Sequence, residues 1–424
     1  MIRLAIWLGL AGLCLSATTT WDNSRRPQNR NDGCNVDVRL DISGQKPPVF
    51  LVADSKGEWT LAGPTQRTKY NSYMNLANKK ILLTCPGQNN KLKLGNSEVN
   101  EAEATCSSTD GVANLVINGK SYKIDSLKCK ERVTPYEYIS NERCNGDGTI
   151  LKLGYMINNK IHDLITVCHR LADGMTYFSS HILDGSHFPQ RGNGGKRHDE
   201  EGRPQFSFHN RALFKGFPPY KYYKDAVELS ALSQAIGSSA AQSVFNPRDD
   251  KFFAKGHLSP NADFMLENWR DVTFLFVNVQ PQWQEVNGGN WNEVEIATRY
   301  NAAATGKKYQ VITGTAGHLT PKSKSVSLDT DNERIPVPES YTKLIREVDT
   351  NKCIAFVSTN FPQNDAPAMK CRDICAANKW PSLKSAAKEG FVYCCSYEEF
   401  LKNFAESAPR VDCSGGVLVN ENKG

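Results

Sequence analysis

Cysteine usage constrains this chain more than any other feature. Thirteen cysteines occur in 424 residues, and Cys14 falls inside an apolar N-terminal run. The remaining twelve are Cys34, Cys85, Cys106, Cys129, Cys144, Cys168, Cys353, Cys371, Cys375, Cys394, Cys395 and Cys413. An even set of this size points to a disulfide framework, and hence to an oxidising compartment. Cys371-x-x-x-Cys375 followed by Cys394-Cys395 would also suit zinc, but no histidine lies near them, so disulfides are expected there. Spacing does not reveal which cysteine joins which.

The N-terminus agrees with export. Met1-Ile2-Arg3 is followed by the apolar run Leu4 to Leu15 and the small residues Ser16 and Ala17. This is the pattern of a signal peptide over residues 1–17. No stretch offers the roughly 20 apolar residues of a membrane span, so the expectation is a secreted, extracellular chain with no membrane partner. No Asn-x-Ser/Thr glycosylation acceptor is present.

The length exceeds one ordinary core and implies two domains. With 39% hydrophobic and 23% charged residues, the chain belongs with folded, soluble proteins. A net charge of +6 is compatible with a polyanionic partner but does not select one. Residues 18–34 read as a flexible polar segment. Residues 35–143 read as a small β-rich domain, from short strand-like runs at Val36–Leu40, Val49–Val52, Ile81–Leu83 and Leu115–Ile117 separated by Gly, Asn and Pro. Residues 144–424 mix strands and helices. Tyr177–Leu183 and Phe274–Val277 are expected as strands. Asp225–Val244 is expected as a helix with Asp225 at its start, and Asn290–Tyr300 as a helix with Asn290 and Glu293 as a capping pair. Arg191–Arg197 is glycine-rich and reads as an exposed loop.

The chemistry concentrates in three segments. The first is Ala254-Lys255-Gly256-His257-Leu258-Ser259-Pro260, and the second is Asn278-Val279-Gln280-Pro281-Gln282. The third holds Asn287, Trp291, Glu295 and Arg299 at intervals of four, which on a helix keeps all four on one side. That stripe is either a chemical face or a Glu295–Arg299 ion pair beside a packed tryptophan.

The ordered set resembles the DNA/RNA non-specific endonucleases with a ββα-metal site. Their signature reads Asp-Arg-Gly-His, followed by Asn, Pro-Gln, Asn, Trp, Glu and Arg. His257 and Asn287 lie 30 positions apart, and Asn278 and Asn287 lie 9 apart, as in bacterial members. The wording from Phe253 to Phe264 is similar to secreted arthropod nucleases, among them insect double-stranded RNases, salivary endonucleases and crustacean duplex DNases. The resemblance covers roughly residues 146 to 424. It implies an α+β fold: a ββα-metal domain with a mixed or antiparallel sheet flanked by helices, preceded by the small disulfide-stapled β domain.

It also implies roles. Hydrolysis of a phosphodiester needs an activated water, charge neutralisation at phosphate and help for the leaving 3′ oxygen. His257 is the expected general base, since neutral imidazole accepts a proton near physiological pH. Asn287 is the expected ligand of Mg²⁺, with Mn²⁺ or Ca²⁺ as substitutes, because a hard cation that keeps most of its waters needs few protein oxygens. Glu295 would orient a water beside the cation. Arg203, in Arg203-Pro204-Gln205-Phe206, matches the family's upstream arginine by context and would grip the scissile phosphate. Asn278 and Gln282 would support the site by hydrogen bonds, and with Arg299 they form the expected substrate-binding group. Arg299 reads either as structural or as phosphate-contacting.

Two positions depart from the general signature. Ala254 replaces the aspartate and Lys255 the arginine, so the cation survives without its bidentate fork; the arthropod members share this wording. The other seven histidines (His162, His169, His181, His187, His198, His209, His318) lack a comparable context. His187 and His198 flank the glycine-rich loop. Tyr220-Lys221-Tyr222-Tyr223-Lys224 interleaves aromatics with positive charge and reads either as a nucleic-acid contact or as an interface strand. The resulting expectation is a secreted endonuclease acting on DNA and/or RNA without a small-molecule cofactor, leaving 5′-phosphate ends and losing activity below about pH 6.5. The alternatives are a catalytically inactive member that binds extracellular nucleic acid or other polyanions, and an adhesion or structural protein.

Overall fold

A computed structural model describes residues 33–42, 46–109, 112–189, 206–207, 211–214, 216–361, 368–381, 383 and 389–422. The expected signal peptide, most of the polar segment 18–34, the glycine-rich stretch Arg191–Arg197, and Arg203, His198 and His209 lie outside these residues.

Residues 35–129 form three small antiparallel sheets. The largest has six strands in the order Lys120–Lys123, Val112–Ile117, Glu101–Thr109, Ile81–Thr84, Val49–Ala53 and Trp59–Leu61. Alternation specifies its inner face: Ala102 and Ala104 on one strand and Ala113, Leu115 and Ile117 on the next are buried between exposed or half-buried neighbours. The expected strand Val36–Leu40 is shorter, covering Asn35–Asp37. Asp37 Oδ1 accepts the backbone N–H of Arg39 and Leu40 at 2.9 and 3.1 Å, and this side-chain turn ends the strand. Cys34–Cys106 and Cys85–Cys129 staple this part.

An eight-stranded antiparallel sheet follows. Its strands are β1 (Tyr136–Cys144), β2 (Gly148–Ile157), β3 (Lys160–Arg170), β4 (Met175–Asp184), β7 (Lys308–Ala316), β8 (Ser340–Glu347), β9 (Cys353–Thr359) and β10 (Val392–Cys395), in that spatial order. Successive residues on its central strands serve opposite faces. Val311, Ile345 and Phe356 join Val294, Ala302 and Ala303 of helix α5 (Asn290–Thr305). Their neighbours Ile312, Leu344, Ala355 and Val357 join Phe400 and Phe404 of helix α6 (Tyr397–Phe404). The sheet is thus covered on both faces, which is why β9 is buried throughout. Cys144–Cys168, Cys353–Cys413, Cys371–Cys395 and Cys375–Cys394 complete a set of six disulfides using all twelve cysteines of the described residues.

Between β4 and β7 the described residues build a further, two-stranded sheet and five α-helices. Strand β5 (Phe253–His257) pairs antiparallel with β6 (Val279–Trp283), setting Lys255 opposite Pro281 and His257 opposite Val279. Helix α4 (Gln284–Gly288) packs back on both strands and leads into α5, so the order is strand, strand, helix. The expected helix Asp225–Val244 is two helices, α1 (Asp225–Ile236) and α2 (Ser238–Val244). Gly237, at φ +89°, breaks the run. Lys224 occupies the start of α1 with no side-chain cap, so Asp225 lies in the first turn instead. Helix α3 (Glu267–Asp271) follows β5. The expected strand Phe274–Val277 is buried, but it consists of tight turns at Val272–Phe274 and Phe276–Asn278 around an extended Leu275, which bridges to Ser207.

The N-terminal sheets dock on α3 and on the end of α5. Arg132 grips Asp271 through Nε at 2.8 Å and Nη2 at 2.6 Å, and Asn268 Nδ2 donates to Pro48 O at 2.9 Å. Arg67 Nη1 reaches the carbonyls of Gly185, Phe188 and Ala303. Ala303 belongs to the last turn of α5, where carbonyls lack helical partners and a cation is favoured.

Candidate active site

Pleating splits β5 into two faces. Phe253, Lys255 and His257 project to one side, and Ala254 and Gly256 to the other. On the first side the His257 ring lies 5.0 Å from Phe206 and 5.2 Å from Phe274, edge-on to the latter. Lys255 Nζ lies 5.7 Å from the Phe206 ring and 5.2 Å from that of Tyr223, an arrangement in which ring faces attract a cation. Lys255 and His257 therefore flank one aromatic ring. Arg203 lies outside the described residues, but Phe206, three positions further on, touches both.

Beneath Lys255 lies Glu228 of α1. It is buried and accepts the backbone N–H of Phe253 at 2.9 Å. Burial raises its carboxyl to about 7, with the Phe253 hydrogen bond and Lys255 opposing and Asp225 adding to the rise. Burial also lowers the Lys255 ammonium from its ordinary value, against the pull of Glu228.

On the other face of β5, a Cβ on Gly256 would stand 2.5 Å from Gln282 Oε1 and 2.8 Å from the Tyr341 hydroxyl, so glycine is required there. Gln282 is fully buried, and both ends of its amide lack a hydrogen-bond partner among the described residues, as does Trp291 Nε1.

The expected stripe of Asn287, Trp291, Glu295 and Arg299 does not lie on one helix. Asn287 belongs to α4, and the chain breaks at Gly289, where a Cβ would meet Glu285 O at 2.4 Å. Trp291, Glu295 and Arg299 belong to α5. The expected Asn290–Glu293 cap is also absent: Gly289 precedes the helix, and Asn290 Nδ2 donates to Leu383 O and Gly390 O at 3.3 and 2.6 Å. Asn287 Nδ2 donates to Gln284 Oε1 at 3.1 Å. That bond commits the nitrogen and leaves the oxygen as the atom a hard cation would take. A single neutral oxygen on a half-buried helix end, with the Glu295 carboxylate one helix on, fits a cation that keeps most of its waters. Asp373, Cys375 and Cys394 also converge within ligand range, but both sulfurs are joined in a disulfide, and Asp373 Oδ1 accepts from the Cys375 and Cys394 N–H groups.

The residues expected to bind substrate lie below the site. Asn278, Gln282 and Arg299 are 0%, 0% and 2% exposed, so they do not line its surface. Asn278 Oδ1 accepts from Ser259 N at 3.0 Å and Ser179 Oγ at 2.9 Å, while its Nδ2 donates to Ser259 O and Thr273 O at 3.0 Å. These bonds tie the segment after His257 to β4. Arg299 Nη1 lies 3.0 Å from Asp263 Oδ1 and 3.8 Å from Glu295 Oε2, so the Glu295–Arg299 pair is present within a wider cluster.

Sequence reasoning missed that cluster. His181 on β4 meets Asp263 Oδ2 through Nε2 and Ser259 Oγ through Nδ1, each at 2.9 Å. Lys343 of β8 is buried, donates to Thr313 Oγ1 at 2.7 Å, and lies 5.2 Å from the Trp291 ring. Burial would raise the Asp263 carboxyl, but the His181 hydrogen bond and the charges of Arg299, His181 and Lys343 hold it below its ordinary value. Burial raises Glu295, with Lys343 and Arg299 opposing, and lowers Lys343 against Glu295 and Asp263. His181 carried one signal, since Ser179 and His181 alternate onto one face of a strand. Lys343, in a run of strand residues, carried none. His187 packs 6.0 Å from Trp269 and 3.6 Å from Asp184, in a structural setting.

The sequence is similar to those of known proteins. The family model described as DNA/RNA non-specific endonuclease matches residues 146–400. A salivary endonuclease of Lutzomyia longipalpis is 25% identical over 403 residues, covering 93% of this chain and 89% of the relative. Salivary protein Tsal2A of Glossina morsitans morsitans is 24% identical over 377 residues, covering 87% of this chain and 90% of its own length. Among solved structures, a chain of the EndoG/EndoGI complex aligns at 14% identity and a TM-score of 0.35, over 61% of this chain and 89% of its own.

Proposed function

The chain belongs to the DNA/RNA non-specific endonuclease family and is a nuclease; from that premise we propose that it is a secreted, Mg²⁺-dependent endonuclease, sugar-non-specific and able to cut duplexes. The observation that carries the reading is the strand–strand–helix frame, which sets Lys255 and His257 side by side on β5 and brings α4, with Asn287, against the same strands.

In this reading His257 takes the proton of the attacking water, and its ring is held between Phe206 and Phe274 so that it cannot swing away. Lys255 and Arg203 offset negative charge building on the phosphate. Asn287 holds the divalent cation through its amide oxygen, with Mn²⁺ or Ca²⁺ as substitutes. When bound, the cation supplies charge neutralisation at the phosphate and assists departure of the 3′ oxygen, leaving 5′-phosphate ends. Glu295 projects from α5 beside Arg299, which pairs with Asp263, itself held by His181.

Residues 1–17 serve as the signal peptide, residues 35–143 as a small β-rich domain whose last strand, β1, joins the eight-stranded sheet, and residues 144–424 as the nuclease domain. Six disulfides and the salivary names of the relatives support export, and among the described residues no helix is long and apolar enough to cross a membrane. The test is cleavage of plasmid DNA and of long double-stranded RNA by the purified protein, with Mg²⁺ and with a chelator. The expected result is cutting that the chelator abolishes and Mg²⁺ restores. Undiminished cutting in chelator would overturn the metal assignment.

A further inference from the structure

The run Tyr220-Lys221-Tyr222-Tyr223-Lys224 is not the interface strand that its sequence also allowed. It forms one tight turn over Pro219–Lys221 and then enters α1. Pro218 and Pro219 restrict the backbone at its entry. Lys221 N–H donates to Pro218 O at 3.1 Å and Tyr222 N–H to Pro219 O at 3.0 Å. The Tyr222 hydroxyl accepts from Arg334 Nη2 at 3.3 Å, which pins the turn to the body of the protein.

A turn held this firmly presents its side chains in fixed directions. Tyr220 is 51% exposed, and Lys221 and Lys224 are exposed beside it. Tyr223 instead joins the site: its ring lies 5.2 Å from Lys255 Nζ, and Lys255 shares Phe206 with His257. Three residues separate Tyr223 from Tyr220, a span of at most about 10 Å even when fully extended. A nucleic-acid strand advances roughly 3.4 Å per nucleotide in a duplex, so the backbone of Tyr220 stands within about three nucleotide steps of that of Tyr223, whose ring packs against Lys255. The nearest exposed acid in sequence is Asp225, which lies in the first turn of α1, where the helix end favours negative charge.

We propose that this turn is a substrate subsite for unpaired nucleotides flanking the scissile phosphate: Tyr220 stacks one nucleobase, and Lys221 and Lys224 contact the adjoining phosphates. The inference rests on the nuclease reading above. An aromatic face with flanking cations binds any base and any phosphate, since every base has a π-face. Such a subsite adds grip without adding sequence preference, as a non-specific enzyme requires.

The experiment is steady-state cleavage of a single-stranded 20-mer by the wild type, Tyr220→Ala, Tyr220→Phe and the double variant Lys221→Ala/Lys224→Ala, each over a series of salt concentrations. Tyr220→Ala is expected to raise KM about tenfold with kcat within about twofold, and Tyr220→Phe to restore the wild-type KM, because the ring does the stacking. The double lysine variant is expected to reduce the slope of log KM against log salt by about 0.7 for each phosphate that the lysines no longer neutralise. An unchanged KM for Tyr220→Ala, or a phenylalanine variant as impaired as the alanine one, would overturn the subsite. Failure of the wild type to cut any substrate would instead count against the reading on which it rests.

Discussion

Replacing Glu228 by glutamine should make the protein more stable at high pH while leaving it little changed at low pH. The carboxyl is 2% exposed, and burial holds it at about 7 in place of its ordinary 4.5. Between those values the folded chain keeps a proton that the unfolded chain has lost, so stability falls as pH rises through this window. At roughly 1.4 kcal/mol per tenfold change in proton affinity, the displacement corresponds to about 3 kcal/mol. Glutamine has nearly the same shape, and its amide oxygen can still accept the Phe253 N–H, so the strand keeps its anchor. The assay is urea unfolding of both proteins at pH 4.5, 6 and 8. The wild-type curve contains every titrating group, but the difference between the two proteins isolates this one. That difference should grow by about 3 kcal/mol in favour of glutamine from pH 4.5 to pH 8. A difference that stays constant with pH would refute the reasoning, as would one that grows in favour of glutamate.

Two further substitutions test how the site is supported. Arg299→Ala leaves Asp263 and Glu295 without their shared buried cation, and should cost about 3–5 kcal/mol in denaturant unfolding; a loss below about 1 kcal/mol would show that the cluster relaxes around the gap. Arg67→Ala removes the charged donor that ties the N-terminal sheets to the last turn of α5 and should cost about 2–3 kcal/mol, detected as a lower urea midpoint; an unchanged midpoint would mean that the docking does not depend on it.

Much of the fold was legible where local chemistry decides. An even set of twelve cysteines after Cys14 implied disulfides, and all twelve are paired. The mixture of strands and helices was visible in the patterns, and the sheet flanked by helices was what the family resemblance implied. The Ala-Lys-Gly-His run was legible for its chemistry, and it lies on β5, where Lys255 and His257 share a face. Elsewhere tertiary contacts overrode pattern. Phe274–Val277 is apolar enough for a strand, but its backbone is taken up by turns that place Asn278 under Ser259. The stripe from Asn287 to Arg299 has perfect helical spacing, but Gly289, at φ −94° and ψ −124°, leaves the helical region and breaks it. The partnership of His181, Asp263, Arg299 and Lys343 joins strands and a helix far apart in the chain, so no local signal could report it.

The central claim is that His257 and Asn287 divide the work between proton transfer and cation binding. Steady-state cleavage of plasmid DNA across a Mg²⁺ titration, for wild type, His257→Ala and Asn287→Ala, tests it most directly. The account predicts that His257→Ala lowers kcat by about 10²–10⁴-fold at an unchanged half-saturating Mg²⁺ concentration, whereas Asn287→Ala moves that concentration upward. A His257→Ala protein that cuts at the wild-type rate, or an Asn287→Ala protein with an unaltered Mg²⁺ requirement, would contradict it.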